Sequence, residues 1–453
     1  MTANPVIVTR SKRDINPIEK KFGFEPGFSK ATGPELAFKK LAWEEFKKLS
    51  FPSHTDEAWR RTDLRPLDVA KLRLFERGTD KVAPIPQSLL LPVTDAVHGG
   101  ELILSPDGVK ASLEKGLVDK GVIFTDFKTA WQKNTDLLEK AAGKLVRPSE
   151  DKFAALACAM AETGVLLYVP KNVKVEAPLH SLLWTSGSQI ASFSHILVYL
   201  EPGAEVTYVH ESASANGEGG QSLHSGLMEI YVGEGASLRF VELQSWGDNI
   251  WNFTHERVQV AREGNVEWIF GALGSHLTKN FSDLTLNGEG STGKMSGFYF
   301  TDGDQHLDHD TQQNHLAPHT TSDLLFKGAL VGQSHSVWQG MIYVAGNASK
   351  TDGYQANRNL ILDRRARADS LPGLEILTDD VRCTHGATVG KINPEEIFYL
   401  ESRGMPRSDA ERLIVEGFFD PIMQRIPFEG VRQRFQNAIL DKMKDYHSEA
   451  ANL

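Results

Sequence analysis

The sequence predicts a mainly β protein whose sheet-forming centre lies between two helical ends. Three observations carry this. Between about residues 165 and 375, short runs alternate apolar and polar with period two, as at Met228, Ile230 and Val232 or Val266, Trp268 and Phe270. Those runs end on a recurring turn theme. It reads Glu201-Pro202-Gly203-Ala204, Gly233-Glu234-Gly235-Ala236, Arg262-Glu263-Gly264-Asn265 and Gly288-Glu289-Gly290-Ser291, with aligned glycines 32, 29 and 26 residues apart. Outside this centre the apolar spacing turns helical and capping residues appear. A repeat of this length means stacked coils or a hairpin array. Periodicity alone leaves a parallel β-helix and an antiparallel sandwich both open.

The N-terminal region, 1–164, reads as largely helical. Gly33-Pro34 opens a helix with Leu36, Ala37, Leu41 and Phe46 near helical spacing, and Pro34 suits a first helical position. The segment breaks at Phe51-Pro52-Ser53. Residues 82–100 are rich in Pro and Gly and read as connection. A second helix is expected over Phe153–Glu162, apolar at Phe153, Leu156, Ala157 and Met160, with Cys158 as a small core residue. The β centre occupies 165–380. The C-terminal region, 381–453, opens with a strand and continues as helices. There Asn393 is an expected N-cap, followed by Pro394 at the first position and Glu396 as its capping-box partner. Gly404 stops that helix. Ser408 and Glu411 are expected to form a second capping box, with Ala410, Leu413, Ile414, Gly417 and Phe418 on one face.

Composition narrows the function classes. A chain of 453 residues suits about three domains of roughly 150 residues. Its net charge of −10 disfavours nucleic acid as the main ligand, because phosphate binding needs clustered Lys and Arg. The basic run Arg10-Ser11-Lys12-Arg13 is short and reads as a solvated end. Two cysteines give no disulfide framework and fit a reducing compartment. With no apolar leader and no run of about 18 apolar residues, a cytoplasmic location and no membrane span are expected.

The strand Val381-Arg382-Cys383-Thr384-His385-Gly386-Ala387-Thr388-Val389-Gly390 carries the most chemistry. Residues i and i+2 share one face of a strand, so Cys383 and His385 project together, with Val381, Ala387 and Val389. Two ligands are too few to close a tetrahedral metal site, so a partner or cofactor must supply the rest. Arg382 and His385 would favour the thiolate if they lay close. A half-buried strand face at an interface would give the same spacing.

Two other stretches need weighing. Gly288-Glu289-Gly290-Ser291-Thr292-Gly293 matches a GxGxxG string, and Lys294 nearly completes a phosphate loop. The flanks read strand, turn, strand, without the helix whose N-terminus would hold the phosphate, and Met295 stands where a Ser/Thr belongs. No ATP site is expected in this chain. His306, His309, His315, His319 and His335 lie within 30 positions, mixed with Asp304, Asp308 and Asp310. Imidazole and carboxylate could hold zinc, iron or manganese. The alternative function is therefore a β-helical metalloenzyme, such as a sugar lyase, using His306–His335. Polar, turn-rich strands also produce such strings without metal.

Beyond these readings, the stretch 368–400, with Leu371-Pro372-Gly373-Leu374-Glu375-Ile376, the Cys-x-His strand and Phe398-Tyr399-Leu400, resembles the SufB/SufD family of iron–sulfur cluster assembly scaffolds. Glu57-Ala58-Trp59-Arg60-Arg61-Thr62-Asp63-Leu64, His315-Leu316-Ala317-Pro318-His319-Thr320-Thr321-Ser322 with Lys327-Gly328, and Ser402-Arg403-Gly404 agree with it in the same order. The Cys-x-His-Gly-Ala-Thr form is similar to SufD members, whereas SufB members typically carry a His-Glu-Ala type sequence there.

The resemblance implies a right-handed parallel β-helix core flanked by helical regions. It implies a non-catalytic SufD-like subunit of a SufB–SufC–SufD complex, with one SufB, one SufD and two SufC. The C-terminal helices would dock SufC, an ABC-type ATPase, and the β-helix would pair with SufB. A nascent iron–sulfur cluster would form at that interface, with His385 as candidate iron ligand and Cys383 in support. Reduced flavin is linked to the family complex, and a homodimer is the alternative when the chain is alone.

Overall fold

The structure is a computed structural model that describes residues 20–28, 31–90, 98–217, 219–426 and 428–451. The basic run 10–13 and positions 91–97 of the expected connection lie outside the described residues.

Consecutive strands from Thr163–Val169 to Val381–Lys391 alternate between two sheets, and within each sheet every neighbour in this stretch is parallel. Each coil gives one strand to each sheet, so the chain winds a parallel β-solenoid of about eight turns. The antiparallel sandwich left open by periodicity is excluded. Inward residues fill the space between the sheets, among them Met228, Ile230, Val232, Val266, Trp268 and Phe270, as the alternation requires.

The corners explain the repeated turn theme, with one correction. Gly203, Gly235, Glu263, Gly290, His319 and Lys350 all adopt positive φ, between 53° and 71°. Their backbone N–H groups hydrogen-bond to carbonyls of the next corner, as Gly203 does to Glu234 and Gly235 to Arg262. In the third coil the left-handed residue is Glu263, not Gly264, because coil length varies by a few residues. Glycine is favoured there but not obligatory.

Helical ends cover the outer faces of both sheets. The helices Gly33–Lys48 and Lys152–Met160 pack with Trp59, Phe193, Phe253 and Phe281 on one sheet. On the other, Phe298 and Ile269 meet Phe419 and Phe435 of the helices Arg407–Met423 and Glu429–Ala451. The N-terminal region is less helical than expected. Its strands Gly100–Ser105, Gly108–Leu113 and Ile123–Asp126 extend both sheets past the first coil, two pairings being antiparallel. Cys158 is buried, and burial pushes its thiol well above the ordinary value.

Two helical details differ from expectation. Leu41 and Leu413 are exposed, while Ala42, Phe46, Val415 and Phe419 face inward. Tertiary packing rotates each buried stripe relative to the one read from spacing. Asn393 does cap its helix, accepting from the Glu395 N–H at 3.0 Å. Ser408 makes no cap, because the helix starts at Arg407 and Glu411 binds Arg407 and His447 instead, each at 2.9 Å.

Candidate functional site

Both sheets end on the last coil. Among the described residues, strand Val381–Lys391 pairs only with Thr351–Ile361, and Arg367–Ile376 only with His335–Val344. The first coil is capped by extra strands, but no described element covers the last. Leu374, Leu377 and Val389 are therefore exposed there. Solenoids need capped ends, since an open coil shows apolar side chains and unpaired strand edges to water.

Register settles where Cys383 and His385 point. Gly353 pairs with Cys383 and Gln355 with His385, and both Gly353 and Gln355 are buried inward residues. Cys383 and His385 thus share the inward parity of the terminal coil, with Val381, Ala387 and Val389. Cys383 is half-buried and packs with Ile342, Val344, Ala348 and Ile376. His385 is exposed at the open end.

Arg382 does not meet the condition for a thiolate. Arg382 has the opposite parity and stays exposed, 3.8 Å from Asp352. Burial pushes the Cys383 thiol up, and Asp352 adds to this against a hydrogen bond from the Gly353 backbone. A thiol in this state needs a cation or a partner base to ionise it.

Beside this strand lies a hollow of about 560 Å³, lined by Arg61, Arg367, Asp369, Ser370, Ala387 and Val389 among others. Arg61 reaches it from the N-terminal region and donates to Gln339 Oε1 at 3.0 Å. Its neighbour Thr62 donates to Asp308 Oδ2 at 2.5 Å. The string 57–64 was legible as distinctive, but nothing in it revealed that it anchors to strands some 250 residues away.

The histidine stretch does not converge. His309 and His315 point into the solenoid, where His315 bonds Thr320 and Ser322 at 2.8 and 2.9 Å. His306 and His335 are register partners with opposite parity, on the outer face, their rings 4.7 Å apart. His319 is an exposed corner residue with φ 58°. Strand alternation splits the run between two sides of a sheet. No three potential ligands from it come together among the described residues. The GxGxxG string runs from the turn after strand Leu277–Leu286 into the start of strand Thr292–Thr301, with no helix after it.

A parallel β-solenoid that carries a cysteine–histidine pair on a terminal coil left uncovered among the described residues is the class of protein this structure defines. Comparison with known proteins says which. The core-domain model described as "SUF system FeS cluster assembly, SufBD core domain" matches residues 183–418, and "SufBD protein N-terminal region" matches 102–180. An iron–sulfur cluster assembly SufBD family protein of Staphylococcus aureus (strain USA300) is 33% identical over 318 residues, 70% of this chain and 68% of that protein. One from Staphylococcus epidermidis is 31% identical over 377 residues, 83% and 78% of the two chains. The chain belongs to the SufB/SufD family of iron–sulfur cluster assembly proteins.

Proposed function

We propose that this chain is the SufD-like scaffold subunit of a SufB–SufC–SufD complex and has no catalytic activity of its own. In this reading its open solenoid end meets the matching end of a SufB-type partner. The nascent iron–sulfur cluster is cargo held between them. His385 supplies an iron ligand, and Cys383 supports it. The observation that carries the reading is the shared inward parity of Cys383 and His385 on a terminal coil that no described element covers. Two ligands cannot close a site, and an open coil cannot cap itself, so one partner meets both needs.

The C-terminal helices suit an ATPase docking role. Phe398 and Tyr399 are adjacent and exposed on the helix Pro394–Ser402, at 71% and 56%. Large exposed aromatics on a helix mark contact surfaces. ATP hydrolysis in the docked subunits would shift these helices against the solenoid and reorder its open end.

The test is His385→Ala in the chain co-expressed with its partners. Loss of cluster assembly with an intact complex on co-purification is expected. Normal assembly in that variant would remove His385 from the mechanism. In the metalloenzyme alternative the isolated chain would turn over substrate, but the split orientation of His306, His309, His315 and His335 gives it no support.

A further inference from the structure

A second group of metal-binding residue types lies at the capped end of the solenoid, far in sequence from Cys383. Strand Gly100–Ser105 runs beside Leu179–Thr185, and Glu101 is the register partner of His180. His180 is 1% exposed. Its Nε2 lies 2.8 Å from Glu211 Oε1. A carboxylate only accepts, so the proton sits on Nε2, and in the neutral ring Nδ1 presents a lone pair. That Nδ1 is buried with no hydrogen-bond partner among the described residues. It points toward Glu101, with Oε1 4.0 Å away. The His98 ring stands 4.8 Å from the His180 ring. One ligand atom each from His98, Glu101 and His180 falls within 4.8 Å of the other two.

We propose that His98, Glu101 and His180 bind one divalent transition-metal ion of the zinc and ferrous class. Two imidazoles and one carboxylate are a hard-to-intermediate donor set suited to these ions, and three ligands leave positions open on the metal. The buried lone pair of His180 explains itself in this way, since a buried unmatched acceptor is otherwise unfavourable. Glu211 acts as the outer carboxylate that orients a ligating imidazole. Glu211 is itself held by Arg434 from the helix Glu429–Ala451. Metal–nitrogen bonds of about 2.0–2.1 Å require the three side chains to close in. His98 and Glu101, both half-buried, are the ones placed to move. Binding would pin the N-terminal strand and the first coils to the C-terminal helix through Glu211 and Arg434.

The site is independent of the assembly role proposed above. The test uses the full chain, stripped with a chelator and titrated with Co²⁺ as a spectroscopic probe, then competed with Zn²⁺. Uptake of one Co²⁺ per chain is expected, with visible d–d bands and no thiolate charge-transfer band. Glu211→Gln should weaken it by about 10–100-fold. His98→Ala and Glu101→Gln should weaken it at least as much, and their half-buried positions leave the metal-free fold intact by circular dichroism. The Cys383→Ser/His385→Ala variant should bind as wild type. No Co²⁺ uptake by the wild-type chain would overturn the proposal. So would uptake that survives Glu101→Gln, or uptake lost with Cys383 and His385.

Discussion

Cys383 Sγ and His315 Nε2 converge on the space left by the missing side chain of Gly353. A Cβ on Gly353 would lie 3.2 Å from the sulfur and 3.5 Å from the nitrogen. The sulfur therefore points into the coil, against a histidine already committed to Thr320 and Ser322. Only a residue without a Cβ gives Cys383 this pocket without displacement.

Thiol labelling should reflect that pocket. In the folded chain Cys383 is expected to react slowly at neutral pH, and Cys158 not at all on the same timescale, because burial raises both thiols and Cys158 is 1% exposed. Gly353→Ala should push the sulfur outward, since an edge strand can yield, and labelling of Cys383 should accelerate. Equal rates in the two proteins, followed by mass spectrometry of labelled peptides, would refute the packing argument.

Lys279 and Asp308 form an ion pair at 3.0 Å with both side chains fully buried beneath the N-terminal region. Thr62 completes it. Thr62→Val leaves one oxygen of Asp308 without its donor and should cost ~1–3 kcal/mol of stability. Lys279→Met strands the carboxylate and should cost about 3–5 kcal/mol. Urea denaturation checks both, and a Lys279→Met midpoint equal to wild type would mean the pair is dispensable.

Glu242 and Glu256 face each other from opposite sheets inside the solenoid. Burial pushes both up, Glu242 well above the usual range, and for Glu242 the neighbouring Glu256 adds to this. A carboxyl raised in the folded state contributes stability below its unfolded value near 4.5 and loses it as pH rises. Glu242→Gln needs no proton and can still accept from Trp268 Nε1, which lies 3.2 Å from Glu242. The variant should be more stable than wild type at pH 8, with the gap narrowing toward pH 4.5. Thermal melts at both pH values decide this.

Buried neutral histidines set an acid limit. Burial brings His224 and His309 down to about 4, with Lys279 also lowering His309 and Asp308 opposing it. Above about pH 6.5 neither state is protonated at these positions. As pH falls from 6.5 toward 4, the unfolded chain takes up protons that the folded chain refuses, and each site loses about 1.4 kcal/mol per pH unit. Asp310, pushed up to about 6 by burial, works the other way below that value. His309→Phe, set between Phe270 and Phe326, should flatten the decline. An unchanged slope in denaturant titrations would show that His309 takes no part.

By itself the sequence determined the strand periodicity, the C-terminal helices and the Cys-x-His strand, because alternation and helical spacing are local and each residue's own neighbours encode them. It also brought Cys383 and His385 to one face, since parity needs only a strand. The tertiary structure decided the rest. Parallel pairing, the choice of Glu263 over Gly264 at a corner, and the buried stripes of the terminal helices depend on which coil lies next. Cys383 and Gly353 are 30 positions apart, Thr62 and Asp308 nearly 250, and no local pattern announces either contact. His98, Glu101, His180 and Glu211 belong to strands and loops that meet only after winding. Their spacing in the chain carries no metal-site signature, because a solenoid builds its sites across coils and not along them.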